Sequence, residues 1–278
     1  MPSPVDPIAI AIGGIEVRWY ALFLLAGTVA GLTLTRALAG RLGLDRDWVL
    51  DVAPWIVLFS IVGARAYYVV LRADHFLAVP GEAINLRLGG LAFHGALVAG
   101  ATTFGVLCWR HQQPFWQWTD VVMPGVALAQ AVGRWGNWAN QEAFGLPTSL
   151  PWGLQIDAAR RPARYVDFDR FHPTFLYESA FNAANAVLLT WLAFRTPRSR
   201  TMRHGDVLAT YLVTYGLARF FIERLRTDSL YLGPAPAAFW LSWLLIAVGL
   251  ALFVARRRGE MDGTRRLATA EHERIATD

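Results

Sequence analysis

Apolar runs long enough to cross a lipid bilayer alternate with short polar stretches along most of this chain. A crossing helix needs about 20 largely apolar residues to traverse a hydrocarbon core about 30 Å thick. Seven windows approach that requirement, at roughly 18–38, 48–71, 91–109, 118–136, 175–194, 205–223 and 236–255. The pattern predicts an all-α polytopic membrane protein of about seven transmembrane helices. The first window has no basic segment before it and no small-x-small cleavage site at a useful distance. It reads as a retained span, not as a cleaved signal.

Composition agrees with the pattern. Hydrophobic residues make up 55% of the 278 positions and charged residues only 17%, against about a quarter charged in a soluble domain. All 26 basic residues are arginine. Arg36, Arg41 and Arg46 follow the first window, Arg110 the third, Arg195 to Arg203 the fifth, and Arg256 to Arg258 the seventh. Basic residues in short loops stay on the cytoplasmic side, which places the N-terminus outside and the C-terminus in the cytoplasm. Arg160, Arg161, Arg164 and Arg170 lie in the long segment 137–174 on the opposite side, but a longer folded segment weighs less in that rule. The net charge of +5 sits at membrane edges and in the tail, so lipid headgroups account for it and nucleic acid need not. One membrane catalytic domain over 1–258, with an external segment at about 137–174, and a polar cytoplasmic tail over 259–278 describe the organisation. The tail reads as frayed or as a short surface helix. Cys108, the lone cysteine, can form no internal disulfide.

Against this apolar background the ionisable residues at membrane depth stand out. Such groups cost a few kcal/mol to insert and normally face the protein interior. They are Tyr20 at the start of the first span, Arg65 in the second and His94 near the start of the third. The run from Gly133 to Glu142 ends the fourth, and Arg219, Glu223 and Arg226 end the sixth. By topology the N-terminal ends of the first and third spans and the C-terminal ends of the fourth and sixth lie on the external side, so these groups converge there. Arg219, Glu223 and Arg226 are spaced four and three apart and stack on one face if the helix continues; Arg134 and Asn137 are likewise three apart. Each has a plainer reading: Arg65 as a tie between helices through backbone carbonyls, Tyr20 as an interfacial anchor, His94 as a core histidine, and the Arg219 group as a structural ion pair. The Arg134 to Glu142 run resists that reading, because an arginine, two asparagines and a glutamate among glycines make a poor lipid-facing surface.

Arginines facing a membrane-level cavity suit an anionic headgroup, since guanidinium holds phosphate oxygens bidentately. Glycines at 133, 136 and 145 would let the backbone approach closely. His94 has a reference pKa of about 6.5 and could take a proton near neutrality. No serine-hydrolase elbow, HExxH motif or paired-aspartate signature is present.

The stretch from Gly133-Arg134-Trp135-Gly136-Asn137 through Asn140, Glu142 and Gly145 resembles the G-R-x-G-N-[FW]-x-N-x-E-x-x-G signature of prolipoprotein diacylglyceryl transferases. Arg18-Trp19-Tyr20, Gly63-Ala64-Arg65, Phe93-His94-Gly95, His172-Pro173-Thr174 with Leu176-Tyr177-Glu178, and Tyr215-Gly216 through Arg219 to Glu223 and Arg226 fit the same family in order. Phe175 departs from it, where a polar residue is common. The resemblance implies a multi-pass enzyme of the bacterial cytoplasmic membrane. Such an enzyme moves the diacylglyceryl group of phosphatidylglycerol onto the lipobox cysteine thiol in the signal peptide of a preprolipoprotein, releasing glycerol-1-phosphate on the external side. It further implies that Arg134 binds the headgroup, that Arg219 stabilises the departing phosphate, and that His94 is the base. Asn137, Glu142, Gly145 and Tyr20 match other positions the family depends on; Glu223 and Arg226 orient Arg219, with Arg65 and His172 in support. No cofactor, metal or nucleic acid is implied. A lipid or anion transporter is the competing reading. It requires polar residues along both halves of the spans, and the cytoplasmic halves of the first, third, fifth and seventh are nearly all apolar.

Overall fold

The computed structural model describes residues 1–2, 6–86 and 89–277, with backbone alone for Ile15 and for 258–277. In chain order the helices are α1 (Trp19–Arg41), α2 (Trp48–Leu71), the short α3 (Ala73–Ala78), α4 (Phe93–Arg110), α5 (Phe115–Asn140), α6 (Thr174–Arg195), α7 (Asp206–Glu223) and α8 (Ala237–Thr277). Each apolar window falls on one of the long helices. Among the described residues, Trp19–Arg41, Trp48–Leu71 and Ala237–Arg257 are long and apolar enough by themselves to cross a membrane. This is a mostly helical membrane protein.

The all-α expectation is amended by three antiparallel two-stranded ribbons: β1 (Ile8–Ile12) with β2 (Ile15–Arg18), β3 (Leu154–Gln155) with β4 (Arg170–Phe171), and β5 (Tyr231–Leu232) with β6 (Ala235–Pro236). The first has a simple cause. Gly13 and Gly14 take positive φ of 57° and 82°, the conformation a two-residue hairpin turn demands.

The chain divides into two compact units, Met1–Thr35 with Thr119–Asp278, and Arg36–Trp118. In the first, helices approach through small residues, the usual means of close packing where lipid offers no hydrophobic drive. A Cβ on Gly31 would lie 2.6 Å from the Gly125 carbonyl, and one on Gly27 2.7 Å from that of Ala129, so α1 and α5 meet backbone to backbone. Gly216 likewise meets the Ser242 carbonyl, joining α7 and α8. Polar ties add direction. The Trp135 indole donates to the Ser179 hydroxyl at 3.1 Å, which donates to the Ala131 carbonyl at 2.8 Å. Tyr211 donates to Gln130 at 3.1 Å and Thr214 to Asn185 at 3.1 Å. Asp120, buried near the start of α5, accepts from the amides of Gly205 at 2.9 Å and Val207 at 3.3 Å and faces the His204 ring at 3.1 Å. It serves as the N-terminal cap that α7 lacks in its own sequence.

Three arginines of the long segment 137–174 hold backbone carbonyls, two of them within the segment and one beyond it. Arg160 donates to the Asn140 carbonyl, Arg161 to those of Ile156 and Val166, and Arg164 to that of Thr227. They fasten the segment over a core of Phe144, Leu154, Ile156, Phe171 and Phe175. Phe175, the departure from the family pattern, packs on Trp135 at 5.5 Å between ring centres, so an apolar residue there completes this core.

In the second unit α2 and α4 cross closely, with Gly63 and Gly95 each against the other's backbone. Arg65, 7% exposed, donates to five carbonyls of the following loop: Ala83 at 2.8 Å, Gly89 at 2.5 Å, Gly90 at 3.0 Å, Glu82 at 2.6 Å and Asn85 at 3.1 Å. Its tie runs to this irregular loop instead of to another helix. Arg65→Met should destabilise the second unit by at least about 2 kcal/mol, because several buried acceptors lose their donor. Arg65→Lys should restore only part, since an ammonium carries three donors instead of five. Thermal unfolding in detergent, with amide exchange across 82–92, reads both effects.

Candidate functional site

The glycine-rich motif occupies the last two turns of α5 and the reversal that follows. Gln141 and Ala143 adopt left-handed φ of 52° and 56°, and the Glu142 amide donates back to the Asn137 carbonyl at 3.0 Å. This reversal sets the Glu142 carboxylate 2.9 Å from the Asn137 side-chain amide, whose oxygen in turn lies 3.4 Å from the Arg134 guanidinium. The expected pairing of Arg134 and Asn137 is thus present. Gly136 accommodates the Tyr20 ring, which a Cβ would meet at 2.8 Å. Gly133 differs from the expectation of close approach, since a Cβ there would face open space.

Past the reversal, Gly145 pairs with Arg226 in an isolated antiparallel bridge. The Gly145 amide donates to the His172 carbonyl at 2.9 Å, and the Leu146 amide to that of Leu225 at 2.6 Å. A Cβ on Gly145 would lie 2.7 Å from that of His172 and 2.9 Å from the Leu225 carbonyl. His172 also contacts the Tyr177 hydroxyl through Nδ1 at 3.2 Å. The Thr174 hydroxyl donates to the Ala143 carbonyl, tying the start of α6 to the same turn.

Three segments converge here on Glu178, which sits in the second turn of α6. Arg134 from α5 lies 2.5 Å from Oε2, Arg219 from α7 is 3.6 Å from Oε1, and Arg226 from the following turn is 3.8 Å from Oε1. Arg219 has a closer partner in Glu223 at 2.7 Å, the expected pairing one helical turn apart. Arg226 does not continue that stack, because α7 ends at Glu223. It reaches Glu178 from the loop, held by Asp228 through two bonds of 2.8 and 2.6 Å. Glu178 and Glu223 are 5% and 4% exposed, and buried carboxylates demand paired cations. At Arg226 burial opposes the charge, but Asp228 foremost, then Glu178 and Glu223, hold its pKa above the ordinary guanidinium value.

Three guanidinium groups therefore face two buried carboxylates, with the third acid, Asp228, half exposed. With Asp228 on Arg226, the three guanidinium charges are matched by three carboxylates. Glu178 and Arg219 also line a narrow cleft together with Asn182, Tyr215 and Ile222.

The structure thus brings Arg134, Asn137, Glu142, Arg219, Glu223 and Arg226 into one network, with Tyr20, Gly145 and His172 packed on its supports. His94 and Arg65 belong to the second unit. His94 stands exposed in the first turn of α4, its ring 6.4 Å from that of Tyr67 and 6.0 Å from that of Phe93, so it is not the buried core histidine of the plainer reading. Glu178, which belongs to the family-like stretch Leu176-Tyr177-Glu178, was not among the candidate site residues. Its signal was that it is the one acidic side chain of α6.

These features define a helical membrane protein with a cluster of arginines gathered on buried carboxylates. The chain belongs to the prolipoprotein diacylglyceryl transferase family, whose model matches residues 7–255. It is 42% identical over 245 residues to the phosphatidylglycerol–prolipoprotein diacylglyceryl transferase of Synechococcus elongatus, covering 88% of this chain and 85% of that protein. The enzyme of the same name from Nostoc is 41% identical over 256 residues, 90% of each chain. That from Finegoldia magna is 36% identical over 254 residues, 91% of this chain and 97% of the relative.

Gly145→Ala should force the Leu225 carbonyl away and break the bridge that carries Arg226, because the clash is with backbone and not with a flexible side-chain tip. Amide exchange at Leu146 should rise by about tenfold or more, the scale of losing about 1.4 kcal/mol of local stability. Exchange in α8 should stay unchanged.

Proposed function

We propose that this protein transfers the diacylglyceryl group of phosphatidylglycerol to the lipobox cysteine of preprolipoproteins. The observation that carries the reading is the convergence of the Arg134 and Arg219 guanidinium groups, from two different helices, on the two oxygens of one carboxylate, Glu178. A phosphodiester offers the same pair of oxygens to both guanidinium groups, and family membership supplies the diacylglyceryl-transfer chemistry.

In this mechanism Arg134 and Arg219 hold the phosphate oxygens, with Asn137 and Glu142 fixing the angle of Arg134 and Glu223 that of Arg219. His94 accepts the proton of the lipobox thiol. The thiolate attacks the glycerol carbon that bears the phosphate, a carbon–sulfur bond forms, and the carbon–oxygen bond to phosphate breaks. The electron pair leaves with glycerol-1-phosphate, where the arginines stabilise the added charge. A thiol of reference pKa about 8.5 is a poor nucleophile until it loses its proton, which is the step the base serves. Tyr20, packed on Gly136, shapes the wall beside Asn137; Gly145 and His172 carry the loop that presents Arg226, and Arg65 supports the loop before His94. No cofactor takes part.

The seven long helices are read as seven spans of the bacterial cytoplasmic membrane, with the N-terminus external and the C-terminus cytoplasmic. The site opens on the external side, where the signal peptides of exported precursors arrive. Residues 1–258 act as the catalytic domain and 259–278 as a polar tail. A lipid or anion transporter fits less well, because family membership points to transfer and the arginine cluster gathers at one level.

The test is transfer of labelled diacylglyceryl from phosphatidylglycerol to a lipobox peptide by purified protein. Wild type should lipidate the peptide and release glycerol-1-phosphate, whereas a peptide with serine for cysteine should accept nothing. Arg134→Ala should lose at least about a hundredfold in rate, the usual cost of removing a charge-stabilising donor, with a loss of thermal stability because buried Glu178 loses its nearest cation. Arg134→Lys, which keeps a cation there without the bidentate fork, should lose rate with less loss of stability. Binding of lipid by wild type without lipidated peptide would overturn the transferase reading in favour of transport.

A further inference from the structure

We propose that Glu178 is an internal counter-anion that exchanges with the lipid phosphate on Arg134 and Arg219 and returns to expel glycerol-1-phosphate. This deepens the phosphatidylglycerol reading and rests on it.

The geometry sets up a competition. Arg134 turns one guanidinium nitrogen to Glu178 at 2.5 Å, and Arg219 points its Nη1 at the other oxygen of the same carboxylate at 3.6 Å. A phosphate held by both arginines needs those same nitrogens, because a guanidinium offers a limited set of donors in a fixed fork. Glu178 must therefore yield them when phosphate binds. At 5% exposure it cannot carry its charge alone, and Arg226 supplies the remaining partner. Its Nη1 stands 3.8 Å from Glu178 Oε1 while its Nε and Nη2 are fixed by Asp228. Arg226 is thus anchored independently of the phosphate and is near enough to take the displaced carboxylate. Arg219 retains Glu223 at 2.7 Å throughout, so its position survives the exchange.

The chemistry gives the exchange a purpose. The substrate phosphodiester carries one negative charge, whereas the released phosphomonoester carries about 1.5 to 2 at neutral pH. Arginines that bind the substrate would bind this product more tightly and retain it. A buried carboxylate competing for the same nitrogens opposes that retention, and its effect is greatest after bond cleavage, when product must leave. Glu178 is on this account a positioning residue for the arginines and a release device.

The distinguishing measurement is product inhibition. Glu178→Gln keeps the side chain's size and removes its charge. With phosphatidylglycerol and a lipobox peptide, the variant should be inhibited by glycerol-1-phosphate at concentrations about tenfold or more below those needed for wild type. Its kcat should fall while KM for phosphatidylglycerol stays level or drops. Glu178→Asp, which keeps the charge but withdraws it, should fall between the two; should Glu178→Gln not fold, the same direction of change in Glu178→Asp decides. A Glu178→Gln variant that binds glycerol-1-phosphate more weakly, or with a raised KM, shows that Glu178 merely organises the arginines and overturns the proposal. Unchanged inhibition and kcat overturn it equally. If wild type fails to lipidate the peptide at all, the transferase reading falls; glycerol-1-phosphate binding to wild type and Glu178→Gln, read by calorimetry, still decides the exchange.

Discussion

A carboxylate buried at membrane depth constrains everything around it. Glu178 cannot be left unpaired, and the cations that satisfy it come from three separate segments: α5, α7 and the turn beyond α7. Each segment must therefore end at the right place. The left-handed residues Gln141 and Ala143 turn the chain out of α5 once Arg134 and Asn137 are set. The Gly145–Arg226 bridge returns the chain after α7. The small-residue crossings, Gly31 on Gly125 and Gly216 on Ser242, bring helices close enough for short polar contacts to decide their register. Fold and site share one electrostatic requirement.

That requirement also separates binding from structure. A cluster of three arginines without acids would repel itself, whereas here Glu178, Glu223 and Asp228 match the three guanidinium charges. A singly charged phosphate can then be held only by taking the place of one of these carboxylates. Buried ion pairs contribute little net stability because desolvation offsets attraction, which makes the exchange of one anion for another inexpensive compared with breaking a pair outright.

Much of this was legible in the sequence, and the parts that were not have definite physical reasons. The apolar windows gave the helices because bilayer thickness fixes their length. Local spacing gave the pairing of Arg134 with Asn137 and of Arg219 with Glu223, which is helix geometry. Glu178 was missed because its partners lie 44, 41 and 48 positions away, and no local period encodes such contacts. Arg226 was placed on the helix because nothing in Leu225 or Arg226 announces that α7 stops at Glu223. The turn at Gln141 and Ala143 uses non-glycine residues in the left-handed region, where sequence gives little sign. The β1–β2 ribbon lay hidden in a short alternating run beside a far stronger helix signal.

Asp120 has a mechanical consequence. By capping the first turn of α7 from within α5, it pins one end of that helix, while Arg219 sits thirteen residues further along. At about 1.5 Å per residue the arm is roughly 20 Å long, so a tilt of about 5° about the capped end carries Arg219 sideways by about 1.7 Å. Helix α7 is a lever whose fulcrum lies far from the chemistry. A displacement of that size is about twice the difference between the 3.6 Å separation of Arg219 from Glu178 and a direct charged hydrogen bond of about 2.8 Å.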